Sequence, residues 1–285
     1  MANLSRDKNL SRDIVGLVPA AGEANRIAPL PCSKELYPIG FRKVVGADGL
    51  RPKVVSHFLL EKMCLAGVRK AYIILRQGKW DIPSYFGDGT MVDMNLGYLM
   101  MRLPFGPPYT LDQAYAFVRH SIIVFGFPDI VFEGDDAFVK LLDRLDATEA
   151  NVVLGLFPVK SPWTMDMVEL SNNDEVCSIV IKPLATDLEY GWIIAVWTSV
   201  FTEFLHEHLL SLQRRLERDS TTGPPRQSEL SVGHVFQAAL QDGLRFQAVR
   251  FPNQSFVDIG TPQNLEKAAY DLKFRMGFYP DITDG

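Results

Sequence analysis

A chain of 285 residues with 47% hydrophobic side chains carries enough apolar material for one large α/β unit or two closely packed lobes. Its formal net charge of -5 offers no chain-wide attraction to nucleic acid or anionic membrane, so neither is expected as a partner and functional cations must be local. No apolar run reaches the ~18 residues of a bilayer span. Three scattered cysteines, Cys32, Cys64 and Cys177, without a CxxC pair or a secretion signal, suit a reducing compartment, the cytoplasm. His206 and His208, two positions apart, would diverge on a helix, which argues against zinc.

Residues 1–12 are polar, repeat Ser-Arg-Asp, and are expected to form a flexible tail ahead of a folded unit over 13–278. Apolar, β-branched runs predict strands at Ile14–Val18, Ala71–Leu75, Ser121–Phe125, Val152–Pro158, Glu175–Ile181 and Trp192–Val196. Helical periodicity falls between several of them, at Val54–Ala66, Asp136–Leu145 and Thr198–Leu216. That alternation predicts an α/β fold with a mixed, mostly parallel sheet flanked by helices. The stretch Asp88–Tyr98 is read as an antiparallel edge strand, and Arg214–Ser231, rich in charge, Gly and Pro, as a mobile surface loop. A helix over Val232–Leu240, a strand over Phe246–Phe251 and a closing helix over Gln263–Phe278 complete the chain.

The densest chemistry follows the first strand. In Val18-Pro-Ala-Ala-Gly-Glu-Ala-Asn-Arg26 a small-residue turn brings backbone N–H groups to the carboxyl end of a strand, where ligands bind in open α/β sheets, and Arg26 and Lys34 add positive charge. The combination reads as a polyphosphate cradle; a plain structural turn with two surface cations is the bland alternative.

Ala21-Gly22-Glu23-Ala24-Asn25-Arg26, followed by Pro29, Ser33-Lys34-Glu35-Leu36 and Pro38, resembles the signature of the sugar-phosphate nucleotidyltransferases, usually Gly-x-Gly-Thr-Arg then Pro-Lys or Ser-Lys. The glucose-1-phosphate thymidylyl- and uridylyltransferase branches are the most similar. Further landmarks follow in family order: Leu65–Leu75, Tyr85-Phe-Gly-Asp-Gly89, Thr110-Leu-Asp-Gln-Ala114, Phe127-Pro-Asp-Ile-Val-Phe132, Ile181-Lys-Pro183 and Phe256-Val-Asp-Ile-Gly-Thr-Pro262. The resemblance implies a Rossmann-like nucleotidyltransferase fold. It also implies transfer of a nucleoside monophosphate from an NTP to a phosphorylated acceptor, a sugar phosphate or a non-sugar phosphate, with release of pyrophosphate. It admits a homo-oligomer.

By the same resemblance Arg26, Lys34 and Lys182 act on the phosphates as catalytic residues, Ala21, Gly22, Asn25 and Thr110 contact the nucleotide, and Asp129 and Asp258 hold Mg²⁺. Two carboxylates completed by substrate oxygens are a usual magnesium set. The bland readings are a turn-forming or capping Asp129, a structural ion pair at Asp258, and exposed lysines.

Departures from the pattern are as informative. Ala24 replaces the second signature glycine, Asn25 its threonine, and Thr110 the glycine beside the nucleobase. On the acceptor side Asp166 stands where glycine usually borders the sugar, Ile181 replaces the glutamate of Glu-Lys-Pro, and Ile130 an asparagine. Such a pocket would leave sugar hydroxyls unpaired, so glucose-1-phosphate is expected to be a poor acceptor. These changes also keep open a second reading, a non-catalytic relative that binds and senses nucleotides or sugar nucleotides.

Overall fold

A computed structural model describes residues 13–43, 48–219 and 229–270. The predicted tail at 1–12 and the end of the predicted closing helix beyond 270 lie outside the described residues. In chain order the strands are β1 (Ile14–Ala20), β2 (Pro38–Lys43), β3 (Leu50–Val54), β4 (Lys70–Leu75), β5 (Asn95–Met100), β6 (Ile122–Gly126) and β7 (Ile130–Phe132). They continue as β8 (Val152–Pro158), β9 (Met167–Leu170), β10 (Val176–Val180), β11 (Tyr190–Trp197), β12 (Phe246–Arg250) and β13 (Phe256–Asp258).

Nine strands form one sheet along the path β10-β9-β11-β6-β1-β4-β5, with β8 joining β11 and β12 joining β8. Strands β1, β4, β5, β6, β8, β9 and β12 run one way and only β10 and β11 the other, so the sheet is mixed and mostly parallel. Both faces are covered, which explains the near-continuous apolar runs. In β6, Ile122 and Val124 face one core with Leu59, Met63 and Phe138, while Ile123 and Phe125 face the other with Tyr109, Phe201 and Phe236. The period-two alternation of a strand thus feeds two helical layers. Gly126 ends β6 without a side chain because a Cβ there would lie 2.5 Å from Leu59 Cδ1.

Two expectations are corrected. The Asp88–Tyr98 edge strand is β5, Asn95–Met100, and it pairs parallel with β4, from Lys70↔Asn95 to Leu75↔Met100. Apolar alternation marks a strand but carries no direction; direction follows from the helix Asp81–Phe86 and a turn at Thr90–Val92, which return the chain to the start of the sheet edge. The expected loop at Arg214–Ser231 begins later, because the helix from Ser199 continues through Asp219. The charged residues there are good helix formers. Residues 220–228 are outside the described residues.

Two small ribbons stand off the main sheet. Strands β2 and β3 pair antiparallel, as do β7 and β13, where Asp258 lies opposite Ile130. No helix among the described residues is long and apolar enough to cross a membrane.

Candidate active site

A cleft of about 620 Å³ opens where β1, β4, β5 and β6 end, at their carboxyl edges. All nine residues that the sequence singled out line it: Ala21, Gly22, Asn25, Arg26, Lys34, Thr110, Asp129, Lys182 and Asp258. Adjacent strands in a parallel array release their loops at one edge, so residues more than 200 positions apart converge there.

The turn after β1 is built around Ala24, whose φ of 58° is left-handed and whose carbonyl accepts the Ile27 and Ala28 N–H groups, both at 3.0 Å. An alanine in that region costs about 1 kcal/mol that glycine would not. The substitution of the signature glycine therefore keeps the glycine conformation and adds a methyl group. Asn25 donates to Glu23 at 2.8 Å, and Glu23 is ion-paired with Arg76 from the end of β4. Arg26 reaches over the turn, two-thirds exposed, to within 3.9 Å of Asp258.

Lys34 is anchored from its neighbours. The Ser33 N–H and hydroxyl both donate to Asp81, at 2.7 Å each, and the Glu35 carboxylate accepts two bonds from Lys79, at 2.7 and 2.8 Å, beneath the cleft. Burial pushes the Glu35 carboxyl above its usual range, against the pull of Lys79. The Lys34 ammonium is ion-paired with Asp129. Burial works to depress its pKa, but the carboxylates of Asp129, Glu35 and Asp258 outweigh it and the net shift is upward, so Lys34 is held charged.

The ribbon of β7 and β13 brings the two aspartates together. Ile259 N–H donates to the Asp129 carbonyl at 3.0 Å, and the Asp258 carboxylate accepts from the Gly260 N–H at 2.7 Å. Burial first, and then the negative charge of Asp129, raise the Asp258 pKa. Two partly buried carboxylates this close together favour a cation between them. Among the described residues no group of three or more His, Cys, Asp or Glu is arranged to hold a metal, so an ion here would complete its coordination with substrate oxygens, as magnesium commonly does. The donor set therefore fits Mg²⁺.

The other end of the cleft is different in character. Thr110 is buried, and its hydroxyl lies 3.5 Å from the Gly106 carbonyl, so it is engaged within the protein. Lys182 follows β10 with a left-handed φ of 40° and an exposed side chain. Asp166 is only 7% exposed, between Gly233 at the start of the helix Val232–Gln241 and the half-buried rim of the cleft. Burial raises its pKa, partly offset by the charges of Lys182 and His234. Its Oδ1 and the indole Nε1 of Trp192 are both buried without a hydrogen-bond partner.

Sequence reasoning missed Arg76, Glu23, Phe127 and Trp192 as cleft residues. Arg76 was within reach, since it directly follows a predicted strand of the parallel array. Trp192 was not, because a tryptophan inside an apolar strand reads as core.

The family model for nucleotidyl transferases matches residues 15–274. The low-salt glycan biosynthesis nucleotidyltransferase of Haloferax volcanii is 20% identical over 256 residues, covering 89% of this chain and 64% of that protein. A glucose-1-phosphate thymidylyltransferase of Streptomyces antibioticus is 21% identical over 240 residues, covering 82% of this chain and 59% of that one. The chain thus spans about three-fifths of the length of these curated relatives. A crystal structure from Bacillus anthracis, assigned as a glucose-1-phosphate thymidylyltransferase and solved with sucrose, superposes with a TM-score of 0.74 at 18% identity, over 94% of this chain and 98% of that chain. With a matching fold, a cleft at the carboxyl edge of its parallel strands, and a family match from Val15 to residue 274, the chain belongs to the nucleotidyl transferase family.

Proposed function

We propose that the protein transfers a nucleoside monophosphate from an NTP to a phosphorylated small-molecule acceptor and releases pyrophosphate. The observation that carries this reading is the convergence of Arg26, Lys34, Lys182, Asp129 and Asp258 on one cleft at the carboxyl edge of the sheet. Phosphoryl-type transfer needs little covalent chemistry from the protein; it needs charge placed around the phosphorus and two substrates held in line. In this reading the turn Ala21–Arg26 receives the triphosphate on its backbone N–H groups, and Arg26 neutralises charge that develops on the transferring phosphate. Lys34, held charged at the cleft floor, contacts the triphosphate, and Lys182 on the opposite wall holds the acceptor phosphate.

Asp129 and Asp258 would hold magnesium, which when bound polarises phosphate oxygens as a Lewis acid. Gly260 N–H and Asn264 orient the Asp258 end of that pair, through bonds of 2.7 Å to its carboxylate and its carbonyl. In this reading the cleft-lining Asn25 and Gly22 border the triphosphate, and Thr110, farther along the cleft, borders the base. The non-catalytic reading draws on the methyl of Ala24, but that residue retains the left-handed backbone a glycine would use.

The test is thermal unfolding with ATP, CTP, GTP, UTP and dTTP, with and without Mg²⁺, followed by pyrophosphate release with acceptor phosphates. A ligand that binds the native state raises its apparent stability. Magnesium-dependent stabilisation by one NTP, lost in Asp129→Asn and Asp258→Asn, and pyrophosphate release with an acceptor are expected. Stabilisation without pyrophosphate release from any NTP would favour the sensor reading.

A further inference from the structure

We propose, building on the transferase reading, that the acceptor is a phosphate monoester carrying a cationic nitrogen, and that Asp166 is the residue that selects it. The phosphate is the part that Lys182 holds; the nitrogen is the part that Asp166 and the neighbouring rings Phe127 and Trp192 hold.

Asp166 lines the cleft, is 7% exposed, and its Oδ1 is buried without a hydrogen-bond partner. The indole N–H of Trp192 and the backbone N–H of Lys182 lie near enough to favour its ionised form, yet the indole Nε1 is itself buried without a hydrogen-bond partner. A carboxylate kept for structural anchoring would have its oxygens satisfied, because an unpaired buried one is costly. The wall behind it is bare backbone: a Cβ at Gly233 would lie 2.2 Å from Asp166 Oδ2, so any larger residue there would displace the carboxylate.

The charge balance distinguishes an amine from a hydroxyl. In the free protein the charges that offset Asp166 are Lys182 and His234. His234 is exposed at the helix start, with its ring against the Ser231 hydroxyl at 2.7 Å. When Lys182 turns to a phosphate, Asp166 loses its main counter-charge while burial deepens. A hydroxyl would donate one hydrogen bond and leave the charge uncompensated; a cationic nitrogen brings the compensating charge, and a protonated amine the hydrogen bond as well. Two aromatic faces reinforce the choice. Phe127 and Trp192 both line the cleft with ring centroids 6.0 Å apart, and such rings attract cations. Ile130, which also lines the cleft, offers no hydrogen-bond partner to sugar hydroxyls.

Two kinds of molecule carry this chemistry, an amino-sugar phosphate and an amino-alcohol phosphate, and paired probes separate them. Glucosamine-1-phosphate is set against glucose-1-phosphate, and phosphocholine against its neutral isostere 3,3-dimethylbutyl phosphate. Each is measured by calorimetry with magnesium and a non-hydrolysable analogue of the stabilising NTP present, and by pyrophosphate release with magnesium and the NTP itself. One nitrogenous phosphate is expected to bind roughly tenfold or more tighter than its neutral partner. Asp166→Asn should erase that ratio while leaving stabilisation by the NTP intact, which also shows that the variant is folded. Phe127→Leu, a second variant, should reduce the ratio. Equal or better binding of the neutral partners, or a ratio that survives Asp166→Asn, overturns the proposal. A preference in binding without pyrophosphate release would uphold it and defeat the transferase reading instead.

Discussion

The two ends of the cleft treat their charges in opposite ways. Around the β1 turn every charge that reaches the cleft has a partner of opposite sign: Lys34 with Asp129, Glu23 with Arg76, Glu35 with Lys79, Arg26 facing Asp258. At the Asp166 end a carboxylate oxygen and an indole N–H are buried with none. Paired charges preorganise a site without its ligand, because the side chains are already oriented when substrate arrives. Unpaired buried groups store free energy that only a complementary ligand releases. On the proposed transferase reading, the contrast fits a triphosphate end built for a constant chemistry and an acceptor end built for one specific molecule.

The largest expected effect tests the paired end. Asp258→Asn should lower pyrophosphate release on the order of 10²–10³-fold, the scale of losing one preorganised electrostatic group, with little change in fold. A loss of less than about fivefold would remove Asp258 from the chemistry. Next is stability. Asp129→Asn strands the Lys34 ammonium, which is 13% exposed, and should cost on the order of 1–3 kcal/mol in denaturant unfolding; an unchanged midpoint would mean that Glu35 and Asp258 neutralise Lys34 unaided.

Asp166→Asn should do the reverse at the unpaired end. The folded pKa of Asp166 lies above its unfolded value of 3.8, so the native state binds the extra proton and stability falls as pH rises through the folded pKa. Without substrate, the asparagine variant should therefore melt above the wild type at pH 7, and the gap should close as pH falls toward 4. A wild type that is the more stable of the two at pH 7 would show that Asp166 is already paired. The smallest effect is expected at Ala24→Gly. Relief of the left-handed alanine is offset by greater freedom of the unfolded chain, leaving a gain of about 0.5 kcal/mol or less, with unchanged NTP stabilisation. A weaker response to NTP would make the Ala24 methyl part of the nucleotide contact.

Much of the molecule was legible from the chain alone. The strands β1, β4, β6, β8, β10, β11 and β12 and the long helices could be read because an apolar run or a 3.6-residue period is a local property. So could the cradle residues, since the turn, Arg26 and Lys34 lie within 14 positions of each other. The small strands β2, β3, β7, β9 and β13 were not recognised: runs of three to six residues carry too little periodicity to stand out.

Partnership and direction belong to the tertiary structure. Nothing near Asn95 in the chain says that β5 runs parallel to β4; the packing of the intervening helix decides it. That Asp129 and Asp258 are neighbours follows from the ribbon of β7 and β13, and that Lys34 is held charged follows from three carboxylates drawn from separate elements. The sequence determined which charged residues the cleft has, together with the fold class, because residue type and local spacing are written along the chain. Whether each charge meets a partner or is left waiting depends on burial and on contacts between distant segments, and only the folded chain brings those about.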